Sequence, residues 1–128
     1  MQTQNIVQSF VAAEAITEFA LVSIDANGKV TITDAGTEIG CVGVAQRACS
    51  AGETVDVVVY GTTKVIASAA IAFHTTPILT GAANGEVAAV GSSTYPVARV
   101  LPNINQTAAA AQGEQFLVLF TGPSVIKA

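Results

Sequence analysis

Apolar residues along this chain come in short runs that alternate with polar ones and end at Gly, Asn or Asp, without a sustained helical spacing. Residues 29–33 read Lys-Val-Thr-Ile-Thr, the period of a half-buried strand. Residues 19–24 form an apolar run closed by Asp25-Ala26-Asn27-Gly28. Asn-Gly is a strong hairpin signal, because both central residues of a type I′ turn need positive φ. Residues 39–45 give another strand, followed by a turn at Ser50-Ala51-Gly52-Glu53 and a strand over 55–60. A linking strand over 64–68 and an Ala-rich stretch over 69–73 lead to strands over 78–80, 86–90, 95–101 and 115–120. Val57, Val58 and Val59, like residues 116–120, are apolar without alternation, which implies burial on both faces.

The pattern occurs twice. Leu21-Val22-Ser23-Ile24-Asp25-Ala26-Asn27-Gly28-Lys29-Val30 is answered by Ile78-Leu79-Thr80-Gly81-Ala82-Ala83-Asn84-Gly85-Glu86-Val87, an offset of 57 (84 − 27). Ala51-Gly52-Glu53 and the strand after it return as Gln112-Gly113-Glu114 and its strand, an offset of 61 (113 − 52). Between them, Gly43-Val44-Ala45-Gln46-Arg47 aligns with Pro96-Val97-Ala98-Arg99-Val100. The expected fold is therefore all-β with at most one short helix: a compact barrel-like or sandwich-like domain built from two similar β units, about 17–61 and 74–122, within a single domain over 15–128.

Two segments fall outside this repeat. Residues 1–14 carry no charge until their end and precede the first strand; they read as an N-terminal arm that orders on a partner, or as a strand closing the domain's own sheet. As an arm, they should be removable through Ala13 with the body still folded. Residues 102–112 are longer than their equivalent in the first copy, and such insertions map to exposed loops that contact partners. Ala108 to Ala111 would allow one helical turn there.

Composition narrows the function classes. Of 128 residues, 51% are hydrophobic and 11% charged, against roughly 25% charged in an average soluble domain. A surface so poor in charge is weakly defended against association. The net charge is −4 and the bases Lys29, Lys64, Lys127, Arg47 and Arg99 are scattered, a pattern unlike a nucleic-acid footprint. No run reaches the roughly 20 apolar residues of a membrane-spanning helix, and Met1-Gln2-Thr3-Gln4-Asn5 lacks the positive charge of a secretion signal, so synthesis in a cytosol is expected. In that setting Cys41 and Cys49 read as small buried thiols.

Reaction chemistry is sparse. His74 is the only histidine, the cysteines do not form a CxxC pair, and Gly91-Ser92-Ser93 reads as a turn rather than a nucleophile elbow. Glu53 and Glu114 occupy equivalent sites, whereas acid and base roles need unlike environments. Each is better explained as a solvated residue entering a strand. The expectation is a protein that is not an enzyme, with no cofactor, no metal, no nucleic acid and no membrane partner.

With these residues in view, the chain resembles the decoration (cement, head-stabilising) proteins of tailed-bacteriophage capsids. The resemblance rests on the apolar strand and Asn-Gly turn over 21–30, on Ile39-Gly40-Cys41-Val42-Gly43-Val44-Ala45, and on Ala51-Gly52-Glu53-Thr54-Val55-Asp56-Val57. Tyr95-Pro96-Val97-Ala98-Arg99-Val100 and Gly113-Glu114-Gln115-Phe116-Leu117-Val118 repeat the theme, with Pro96 where the family usually has Gly. The resemblance implies a small β-rich fold, a homotrimer on the outer surface of the mature capsid in the virion, and the major capsid protein as partner. It implies an arm of Thr3, Gln4, Asn5, Ile6, Val7, Gln8, Ser9, Phe10 and Val11 reaching onto capsid subunits. The loop with Asn103, Ile104, Asn105 and Gln106 would be a further contact. Two other classes share the repeat: a phage tail-tube or spike component, and a small hybrid-barrel module presenting Lys29 for lipoyl or biotinyl attachment.

Overall fold

The computed structural model describes residues 5–34, 40–72, 77–90, 96–101 and 111–122. The described residues hold nine strands and no α-helix: β1 (Ile6–Val11), β2 (Leu21–Ile24), β3 (Val30–Ile32), β4 (Cys41–Ala45), β5 (Thr54–Ile66), β6 (Ile78–Gly81), β7 (Val87–Ala89), β8 (Ala98–Val100) and β9 (Gln115–Phe120). All ladders between them are antiparallel. The sheet runs β3-β2-β4-β5-β9-β8-β6-β7, with β1 attached to β5. The expected all-β, barrel-like fold is the observed one, a curled half-barrel sheet.

Duplication extends further than the sequence repeat suggested. Strand β5 is long because it serves both units: its first half pairs with β1 and β4, its second half with β9. The linking strand expected over 64–68 is thus mostly the end of β5. Val11 pairs with Thr54 and Ile66 with Gln115, while Phe10 pairs with Val55 and Val65 with Phe116. The second half of β5 is therefore to β9 what β1 is to the first half of β5. Hydrogen bonds beyond the strands repeat too: Ala12 N–H donates to the Glu53 carbonyl and Ala67 N–H to that of Glu114, at 2.8 and 2.9 Å. Parallel bridges from Ala12 to Val30 and from Ala67 to Val87 tie each curled unit across its open side.

Residues 6–11 thus have a counterpart after all, and they form a strand of the body's own sheet rather than a separate arm. The counterpart escaped the repeat search because Ile6-Val7-Gln8-Ser9-Phe10-Val11 and Gly61-Thr62-Thr63-Lys64-Val65-Ile66 share almost no residues. Main-chain pairing conserves register without conserving side chains. The middle motif also aligns differently. Gly43 pairs with Val22 and Ala98 with Leu79, so the offset is 55 (98 − 43) and Ala45 matches Val100.

Each unit fills its own interior with matching positions. Ala12, Ile16, Val22, Val30, Ala45, Val55 and Val57 line the first; Ala67, Ile71, Leu79, Val87, Val100, Phe116 and Val118 line the second. The units join asymmetrically. Leu21, Cys41 and Val44, on the outer side of β2 and β4, are buried in the second unit's core cluster. Their equivalents are Ile78, Pro96 and Arg99, of which the first two are half-buried and Arg99 exposed. Val44 against Arg99 is the sequence trace of that asymmetry: the same position is dry in one unit and wet in the other. Phe19 adopts φ 62, unusual for an aromatic residue, and packs against the second unit's core.

Like dipeptides make unlike turns. Asn84 and Gly85 both have positive φ (61° and 75°), as the type I′ expectation required. In the first hairpin only Gly28 does. There the Asp25 carboxylate accepts from Asn27 N–H at 2.8 Å and Lys29 N–H at 3.0 Å, holding a five-residue loop from Asp25 to Lys29. The position equivalent to Asp25 is Ala82, which offers no acceptor. Asn84 N–H donates instead to Asp34 of the first unit at 3.0 Å, and Gly85 N–H to the Thr33 carbonyl at 2.8 Å. A Cβ on Gly85 would come within 2.8 Å of the Ala20 Cβ, so only glycine allows this docking.

Candidate interaction surface

The chain's most exposed described apolar side chains gather on and beside β1. Ile6 is 61% exposed, Val7 52% and Val11 40%, and Tyr60, paired with Ile6, is 49% exposed. Among the described residues β1 has a single ladder, to β5, which leaves its other edge open. Its sequence contains no charge and no proline. Edge strands are ordinarily guarded by Lys, Pro, bulges or a covering element. The bulge between Ile6 and Val7 is the one such device here.

The open edge is held in place firmly. Ser9 Oγ donates to the Asp56 carboxylate at 2.8 Å. The Asn5 amide acts as an extra rung: its Nδ2 donates to the Thr62 carbonyl at 2.8 Å, and Thr62 N–H donates to its Oδ1 at 3.0 Å. Gly61 makes room for this, since a Cβ there would overlap the Asn5 side chain. The strand is therefore displayed on a rigid frame. Of the expected contact residues, Asn5, Ile6, Val7, Gln8, Ser9, Phe10 and Val11 stand on it, Phe10 half-buried against the first core. Thr3, Gln4, Asn103, Ile104, Asn105 and Gln106 lie outside the described residues, as do His74, residues 91–93 and most of the Ala-rich turn at 108–111.

The other chemical candidates have structural duties. Glu53 Oε1 accepts from Ser50 N–H at 2.6 Å, and Glu114 Oε1 from Ala111 N–H at 3.1 Å. Each carboxylate thus closes its own turn, around Gly52 at φ 88 and Gly113 at φ 86. Among the described residues no three His, Cys, Asp or Glu side chains cluster as metal ligands would. None of their helices is long and apolar enough to cross a membrane. Lys29 is exposed beside the first turn. Both cysteines are free and buried, as expected.

Cys41 yields a test of this packing. Burial pushes its thiol up to about 12, against the partial opposition of hydrogen bonds from Thr33 and Gly43. The unfolded thiol titrates near ~8.5, so the folded state holds its proton more tightly. The contribution is whole below that pH and is lost as pH climbs towards the folded value, by at most about 1.4 kcal/mol per pH unit. The melting temperature of the wild type should fall more steeply between roughly pH 9 and 11 than that of Cys41→Ala. Parallel curves would show that this thiol is not the cause.

No known family pattern matches the chain, and a search among curated proteins finds no match to it.

Proposed function

We propose that this protein is a structural component of a tailed-phage virion. It binds the outer surface of the mature capsid as a trimer and clamps neighbouring major capsid subunits. The observation that carries the reading is the open, uncharged edge of β1, presented on a double β unit whose other chemistry is used up internally. The resemblance to capsid decoration proteins over residues 17–122 gives that edge its expected partner.

The physics of such a role asks for no catalysis. An exposed edge recognises an extended segment through main-chain hydrogen bonds, with Val7 and Val11 adding apolar contact. Three such edges in one trimer raise avidity well above the single contact. A ligand that binds the expanded shell and not its ruptured form stabilises that shell by mass action.

Purified protein added to undecorated, expanded heads should bind saturably and raise their resistance to heat. Val7→Asp should weaken that binding by about tenfold or more, because it places an unpaired charge in the contact, while the protein's own melting point barely moves. Absence of saturable binding to such heads would overturn the reading.

A further inference from the structure

The repeat continues past β9. Gly61 opens the second half of β5, the first strand of the second unit, and the offset of 61 carries it onto Gly122 (122 − 61). Both glycines have positive φ, 133° and 82°. The residues after them are Thr62-Thr63-Lys64-Val65-Ile66 and Pro123-Ser124-Val125-Ile126-Lys127: polar start, Val-Ile, one lysine. Residues 123–127 therefore carry the sequence of a unit's first strand. Both described units already have theirs, in β1 and in the second half of β5.

We propose that residues 123–128 of a second copy add as a strand along the open edge of β1. Three observations select this occupant. First, β1 is six residues long, and the tail supplies six residues after Gly122. Second, Ile6 and Val7 stay 61% and 52% exposed with the whole of their own chain present, so the cover comes from another molecule. Third, the charges complement. β1 has none, its neighbour Asp56 is an exposed carboxylate beside Ser9, and the tail brings Val125 and Ile126 together with Lys127. Pro123 lacks an N–H donor and stands at the start of the segment, where a strand tolerates it.

The proposal rests on the reading of the protein as an assembling component and names the contact by which copies join. It is tested on the free protein, without capsids, so its failure and the failure of capsid binding are separate results. Gln8→Cys protein is mixed with Val125→Cys protein under mild oxidation; Cys41 and Cys49 are buried in both. A disulfide-linked heterodimer should dominate over either homodimer. In sedimentation, removal of residues 123–128 or the substitution Ile126→Asp should weaken self-association by about tenfold or more, with an unchanged circular dichroism spectrum. Ile126→Asp keeps the test valid if the shortened chain folds poorly. Preferential homodimers, equal association of both variants and the wild type, or no self-association by the wild type at high micromolar concentration would each overturn it.

Discussion

A chain lacking residues 1–13 should lose cooperative folding rather than merely its grip on a partner. Six residues of β1 pair with β5, and just beyond them Ala12 is 1% exposed. Ala12 N–H donates to the Glu53 carbonyl, Gly52 N–H donates to the Ala12 carbonyl and Ala13 N–H to that of Val30, each at 2.8 Å. Deletion removes these bonds, at about 0.5–1.5 kcal/mol each, and uncovers the first core beside Val55 and Val57. The sum rivals the roughly 5–15 kcal/mol of net stability a domain has. Thermal unfolding followed by circular dichroism should show no sharp transition. A truncated chain that melts near the wild-type temperature would instead make residues 1–13 a separable leader. Surface changes such as Val7→Asp are for this reason the cleaner probe of partner binding.

Phe120→Ala should cost about 3–5 kcal/mol, lowering the melting temperature by roughly 10–20 °C. Phe120 is fully buried at the end of β9, and its two cross-strand partners, Gly61 and Ala98, are small, so its ring fills space that neither neighbour can reclaim. Its repeat equivalent, Val59 (120 − 61), is only half-buried, and Val59→Ala should cost about 1 kcal/mol. Similar losses at the two sites, read by denaturant unfolding, would contradict the packing asymmetry between the units.

That asymmetry shows how far the residues can be read alone. Period-2 alternation, Asn-Gly turns and the Gly-Glu turns before long apolar strands define β structure locally, and the positions of β2 to β4 and β6 to β9 follow from them. The two cores follow as well, because the inward residues Val22 and Leu79, or Val55 and Phe116, are apolar in both copies. The role of β1 does not follow. Ile6, Val7, Phe10 and Val11 satisfy a helical spacing as well as a strand, and their repeat partner at residues 61–66 is invisible to side-chain comparison.

By itself, then, the sequence determined the all-β class, the duplication, the turns that need glycine and the scarcity of charge. These are local or compositional properties, set by φ preferences and by transfer from water. Tertiary structure alone decided that β5 is shared, that Asp34 rather than Ala82 satisfies the second hairpin, and that Val44 is covered where Arg99 is not. It also decided that the strand left open is β1. Each of these depends on which residues distant in the chain meet across a ladder or a core. Main-chain hydrogen bonds, which are blind to side-chain identity, fix those meetings.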